Sequence, residues 1–254
     1  MEDLSACTID TRVVNGFKGA GKTFYITDSI MNDFFHKRGS TLILCFQRGK
    51  EVYDEEALLE KNTHVAYFDG HEDAEVFCRK MISEYNPGRI YAEMNAKIPD
   101  LREKFPEIMN VTSTVTLFDW DTFDWYYECF RQEISQMVSA SQQITFRDCP
   151  SKELLAPYSQ EFRLMNPKAS YLRQDPLGFH EKAFDLFVPY SLDEDTVMIR
   201  QEDYLVFWLD AADHPDHYDN KLLRITAPLE LRQASGKWTA GRVVMTCCMA
   251  DLQF

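Results

Sequence analysis

Residues 13–23 read Val-Val-Asn-Gly-Phe-Lys-Gly-Ala-Gly-Lys-Thr, and three of the chain's ten glycines fall within six of these positions. An apolar run ends at Val14, and a helical pattern starts immediately after Thr23. The chain must therefore leave a strand, reverse through a glycine-rich loop and begin a helix within about ten residues. Gly16, Gly19 and Gly21 allow the tight backbone this needs and let its N–H groups converge on one point. Convergent N–H groups at a helix start form an anion site. The spacing Gly-x-x-x-x-Gly-Lys-[Ser/Thr] adds two side chains with defined chemistry: Lys22, a point charge for β and γ phosphates, and the Thr23 hydroxyl, a ligand for Mg²⁺. Gly16, Gly19, Ala20, Gly21, Lys22 and Thr23 thus form the expected cradle of a nucleoside triphosphate.

The surrounding pattern agrees with a strand–loop–helix start. Short β-type runs at Thr11–Asn15, Thr41–Phe46, His64–Phe68, Arg89–Glu93, Ser113–Phe118 and Gln143–Arg147 alternate with segments of 3.6-residue periodicity at Asp73–Tyr85, Asp121–Val138 and Ser151–Met165. Such alternation predicts an α/β fold, a P-loop NTPase domain with a mostly parallel sheet covered on both faces. We expect this domain over residues 1–175. A stretch of weak periodicity at 176–195 reads as a linker. Runs of β-formers at Thr196–Arg200, Tyr204–Leu209, Leu222–Ala227 and Arg242–Cys248 predict a small β-rich C-terminal module over 196–254.

Charge excludes some partners. The net charge is −14, from 41 acidic and 27 basic side chains, and no Lys/Arg cluster offsets it in the sequence. A nucleic acid would be repelled. No run approaches the roughly 20 apolar residues that span a bilayer, so no membrane partner is expected. Seven cysteines without Cys-x-x-Cys spacing, and a start that resembles no secretory signal, fit a reducing, cytoplasmic setting. The oligomeric state is open.

A phosphate loop needs a carboxylate on a neighbouring strand to hold the magnesium shell or order water. Glu93, at the end of Arg89-Ile-Tyr-Ala-Glu93, is the candidate, because parallel strands open their C-terminal ends toward the ligand. Taken together, several motifs resemble the CobW/HypB/UreG group of P-loop GTPases. The loop is similar to that group's Gly-Phe-Leu-Gly-Ala-Gly-Lys-Thr, Ala92-Glu93-Met-Asn95 to a variant of its Glu-x-x-Gly strand end, and Val115-Thr-Leu-Phe-Asp119 to its Val-Val-Asp strand. The tail Gly241-Arg-Val-Val-Met-Thr-Cys-Cys-Met-Ala-Asp251 resembles the Met-Thr-Cys-Cys-x-x-Asp signature of a C-terminal module in one branch. The resemblance implies GTP, with ATP as the alternative nucleotide, Mg²⁺, slow hydrolysis with Lys22 and Glu93 as its catalytic groups, and a role in metal homeostasis or delivery to a metalloprotein client. It also implies that Arg147 and Asp148, where an Asn-Lys-x-Asp motif would stand, contact the base. Two departures are evident: the group's Cys-x-Cys-Cys metal motif is absent, with only Cys45 after the second strand, and Ala96 replaces the Glu-x-x-Gly glycine.

Three further constellations have two readings each. Within Gly49–Glu56, Glu51 or Asp54 could approach the magnesium, or the acidic run could simply start a helix. Cys247, Cys248 and Asp251 could bind Zn²⁺ or another transition metal, although adjacent strand residues point to opposite faces. His214 and His217, amid four aspartates, could form a metal site or a polar turn, and the turn is favoured by Pro215. The leading expectation is a slow GTPase; the alternative is a nucleotide- or metal-binding protein that does not hydrolyse.

Overall fold

The computed structural model describes residues 8–32, 39–98, 101–184, 188–226, 229–232 and 237–240. It divides into two units, residues 1–152 with 169–183 and residues 153–168 with 184–254. The first unit carries β1 (Ile9–Asn15), α1 (Lys22–Met31), β2 (Thr41–Cys45), α2 (Glu55–Glu60), β3 (Thr63–Tyr67), α3 (Ala74–Tyr85), β4 (Arg89–Glu93), β5 (Met109–Asp119), α4 (Trp120–Cys129), α5 (Arg131–Ser139) and β6 (Gln143–Arg147). β7 (Ser170–Gln174) and β8 (His180–Lys182) complete it; α6 (Ala156–Met165) groups with the second unit. The eight strands form one sheet in the order β3-β2-β4-β1-β5-β6-β7-β8. All pairs are parallel except β7 with β8. The expected α/β class with a mostly parallel sheet is what forms.

Strand alternation divides the core into two layers. Leu42, Leu44, Ile90 and Ala92 join Phe77 and Cys78 of α3, whereas Ile43, Cys45, Tyr91 and Leu117 join Ile26 and Ile30 of α1 and Leu58 of α2. Successive residues of one strand thus feed opposite faces, as a sheet buried on both sides requires. Burying each such aliphatic side chain contributes about 1.5–3 kcal/mol. Local signals set the helix ends. Asp54 caps α2 by accepting from Ala57 N at 3.1 Å, with Glu55 and Glu56 in the positive first turn. Asp73 caps α3 through Glu75 N at 2.8 Å, and Asn86 closes that helix in the left-handed conformation.

The elements depart from the sequence reading in places. The helical pattern at Asp121–Val138 is two helices, broken at Phe130, whose φ of −135° and ψ of 44° leave the helical region. Its ring packs 5.5 Å from Phe17 and 5.9 Å from Tyr126, a tertiary contact that periodicity does not report. β7 follows α6 without a strong signal of its own, and β8 lies within the stretch read as a linker.

The second unit holds α6, the parallel pair β9 (Thr196–Ile199) and β10 (Leu222–Ile225), α7 (Tyr204–Asp213) and an antiparallel hairpin of β11 (Leu229–Arg232) and β12 (Lys237–Ala240). Tyr204–Leu209, read as a strand, is the body of α7. A short continuous apolar run has no period to separate the two conformations. Asp210 on α7 is buried and accepts from Tyr218 Oη at 2.8 Å, with His217 Nδ1 at 2.9 Å. His217 therefore sits in the polar turn at Pro215–Tyr218, and among the described residues no group of three His, Cys, Asp or Glu could hold a metal. Cys247, Cys248 and Asp251 lie outside the described residues. Among those residues no helix is long and apolar enough to cross a membrane.

Candidate functional site

From β1 the chain runs outward through β2 and β3, returns to β4 beside β1, then crosses to β5 on the other side. That reversal opens a crevice at the C-terminal ends of the strands, the usual ligand position in an open α/β sheet. The Gly16–Thr23 loop fills it. Glu93 is in register with Val14 of β1 and Cys45 of β2, while Asp119 ends β5 on the opposite flank. A cavity of about 470 Å³ is lined by Gly19, Gly21, Lys22, Thr23, Glu93 and Asp119, with Glu51 at its exposed side.

Two glycines are obligatory here. A Cβ on Gly16, at φ +144°, would lie 2.6 Å from the Leu117 carbonyl oxygen of β5. Gly21 has φ +78° and precedes α1, and a Cβ there would meet the Arg147 guanidinium at 1.2 Å. No side chain caps α1, so the first-turn N–H groups keep their capacity to donate to an anion. The Ala20 N–H is already engaged, donating to Phe17 O at 3.2 Å.

Lys22 is 4% exposed, and its Nζ donates to Gly16 O at 2.8 Å, Phe17 O at 2.9 Å and Gln47 Oε1 at 2.9 Å. Burial brings its pKa down to about 8, opposed by the negative charge of Glu93. Thr23 Oγ1 lies 3.3 and 3.5 Å from the two Glu93 oxygens. Glu93 is buried, and Tyr53 Oη donates to its Oε2 at 2.6 Å. Burial raises the Glu93 pKa, while the Tyr53 hydrogen bond, the Lys22 charge and the Thr23 and Cys45 donors pull it down. The Cys45 thiol, 3.9 Å from Glu93 Oε2, is pushed up to about 12 by burial and by that carboxylate, which keeps it protonated and un-nucleophilic at neutral pH.

Arg147 leaves the end of β6 and crosses the loop. Its Nη1 donates to Ala20 O at 3.2 Å, its Nε donates to Gln174 Oε1 at 3.1 Å, and its guanidinium lies over the Phe24 ring. Asp148 follows at φ +55°. Asp54, the alternative to Glu51, is occupied as the cap of α2. The geometry thus gathers Gly16, Gly19, Ala20, Gly21, Lys22, Thr23, Glu93 and Arg147 at one crevice. Tyr53 and Gln47 were not singled out by sequence, and Asn95 entered only as the last residue of the Ala92–Asn95 motif. Gln47 and Asn95 each stand two residues after a strand's C-terminal end, whereas Tyr53 lies farther on in the segment after β2 and carries no such signal.

A hydroxyl and a carboxylate within 3.5 Å supply the hard oxygen ligands Mg²⁺ prefers. With uncapped N–H groups and one ammonium, this donor set fits a magnesium-bound polyphosphate. With the Cys45 thiol held protonated, the chemistry this donor set supports is electrostatic positioning.

No family model and no curated protein matches this chain. Among solved structures it is similar to the hydrogenase maturation factor HypB from Archaeoglobus fulgidus, at 16% identity and a TM-score of 0.46, over 67% of this chain and 82% of that one. It is similar to a Zn(II)-bound mutant of the YjiA GTPase at 16% identity and 0.42, over 65% and 57%. A third similarity is to HypB from Helicobacter pylori in complex with nickel, at 10% identity and 0.40, over 65% and 78%.

Proposed function

We propose that this chain binds a magnesium-bound nucleoside triphosphate, GTP by preference, and hydrolyses it slowly. The observation that carries the reading is the convergence of Lys22, Thr23 and Glu93 beneath a glycine loop whose helix start has no side-chain cap. In this reading the Lys22 ammonium turns from the loop carbonyls to the β and γ phosphates, the Thr23 hydroxyl ligates Mg²⁺, and Glu93 holds the metal shell or the attacking water. Glu51 is an exposed carboxylate of the same cavity that could reach the shell. In this reading Arg147 and Asp148 contact the base, and the preference for GTP rests on the resemblance of their position to a guanine-reading motif. The same resemblance extends the proposal to metal homeostasis, to a metalloprotein client and to the division into a nucleotide-binding domain over 1–175, a linker and a C-terminal module. No arginine is positioned to stabilise the transferring phosphoryl group among the described residues of the cavity, so intrinsic turnover is slow.

Fluorescent mant-GTP titration with Mg²⁺ tests the core of this. Lys22→Ala should reduce affinity at least a hundredfold with an unchanged far-UV spectrum; unchanged affinity would sink the reading. Phosphate release from GTP and ATP in parallel then separates a GTPase from a binder without turnover. Equilibrium dialysis against Zn²⁺, Ni²⁺ and Co²⁺, with and without nucleotide, tests the metal link.

A further inference from the structure

A second cavity, of about 660 Å³, adjoins the loop at the C-terminal ends of β2, β3 and β4. Its walls include the rings of Phe46 and Phe68, 5.4 Å apart, and of Tyr126, which stacks on Phe17 at 4.0 Å. Lys18, Arg48 and Lys97 surround it, all exposed. Against these three cations the lining holds one carboxylate, Asp69, which already accepts from His71 N at 2.9 Å. Among the described residues none of the three cations lies within ion-pair distance of a carboxylate. Two of them are held by rings instead: the Arg48 guanidinium is 4.4 Å from the Tyr67 centroid, and Lys97 Nζ is 5.8 Å from that of Phe130. Such contacts orient a cation without neutralising it.

Uncompensated positive charge around an aromatic-walled cavity is unexpected in a chain of net charge −14. Like charges held together repel, and an anion relieves that repulsion. The volume suits a small-molecule site, which typically offers roughly 300–1,000 Å³, apolar walls and a few placed polar groups. Gln47 connects this cavity to the loop. Its Oε1 accepts from Lys22 Nζ at 2.9 Å, and its Nε2 donates to Asn95 Oδ1 at 3.0 Å, with both amides lining the cavity. Whatever draws Lys22 toward phosphate releases Gln47.

We propose that this cavity binds a small organic oxyanion with a planar apolar body, and that Gln47 couples its occupancy to the nucleotide site. Lys18, Arg48 and Lys97 meet the charge, and the three rings meet the body. The coupling rests on the nucleotide reading; anion binding itself does not.

The test titrates the full chain with phenyl phosphate and with phthalate by calorimetry, with benzyl alcohol as the uncharged control. At least one anion should bind, benzyl alcohol should not, and a difference between the two anions identifies the oxyanion as phosphate or carboxylate. Arg48→Glu and Lys97→Glu should each weaken the anion at least tenfold and leave mant-GTP affinity within twofold. Saturating Mg·GMPPNP should change the anion affinity threefold or more, and Gln47→Ala should remove that change. Equal binding by the charge-reversed variants, or binding of benzyl alcohol as tight as that of the anions, would overturn the proposal. So would competition between phenyl phosphate and mant-GTP for one site. Loss of anion binding alone refutes the cavity and spares the nucleotide reading; loss of mant-GTP binding alone does the reverse.

Discussion

Tyr53→Phe removes one oxygen from the buried base of the site and leaves the ring in place. In the native chain Tyr53 Oη donates to Glu93 Oε2 at 2.6 Å, with Tyr53 5% and Glu93 2% exposed. Without it that oxygen keeps Thr23 Oγ1 at 3.3 Å and the Cys45 thiol at 3.9 Å, both longer and weaker donors. A hydrogen bond to a charged acceptor contributes about 1.5–3 kcal/mol and one to a neutral acceptor about 1 kcal/mol. The variant should therefore lose about 2 kcal/mol where Glu93 is ionised and about 1 kcal/mol where it is protonated. The sign follows from linkage. The Tyr53 bond lowers the Glu93 pKa, so the variant's carboxyl titrates higher than the native one and holds its proton over a wider range. The stability difference between the two proteins accordingly grows with pH. In both proteins the raised carboxyl favours folding at low pH, and that contribution is lost as pH rises through its folded value. Guanidinium unfolding across a pH series, followed by far-UV circular dichroism, measures the difference, with a drop in Tm of roughly 5 °C at the alkaline end as an independent check. Equal stability of the two proteins, or the same loss at every pH, would refute the account of Glu93 as a Tyr53-held carboxylate.

Gly21→Ala places a Cβ at φ +78°, which costs about 1 kcal/mol, and displaces Arg147 from Ala20 O, which costs about 1 kcal/mol more. A thermal midpoint unchanged from the native protein would show that Arg147 does not lie across the loop. Nucleotide affinity should hold constant from pH 6.5 to 7.5 and decline above about pH 8, as the buried Lys22 ammonium deprotonates, by up to about tenfold per pH unit. Stability without nucleotide should move the other way, because a lysine whose folded pKa lies below its unfolded 10.5 stops penalising the fold between about pH 8 and 10.5. A mant-GTP affinity that stays flat to pH 9.5 would mean another group holds the phosphates.

The strand–loop–helix start was legible because every part of it is local. Val13-Val14, the three spaced glycines and Lys22-Thr23 each constrain their own backbone, and no distant residue is needed to interpret them. The same holds for the caps at Asp54 and Asp73, and for the alternation that predicts a parallel sheet. Glu93 was legible one step further out, since a carboxylate ending a buried strand of such a sheet must face the crevice. Tyr204–Leu209 was misread for the complementary reason: when every position is apolar, burial no longer distinguishes period 2 from period 3.6.

By itself the sequence determined that the chain starts a parallel α/β sheet with a glycine-rich loop leading into a helix, and it pointed to Glu93 as the carboxylate beside that loop. Only the tertiary structure decided the strand order, which sets Glu93 and Asp119 on opposite flanks of β1. It alone brought Tyr53 beneath Glu93, laid Arg147 across Ala20 and Gly21, and made Gln47 the link between Lys22 and a cation-rimmed cavity. Periodicity reports the burial of one element at a time. Which strands pair, and hence which side chains from distant segments meet, is settled by the free energy of closing loops and filling a shared core, a quantity that belongs to the whole chain.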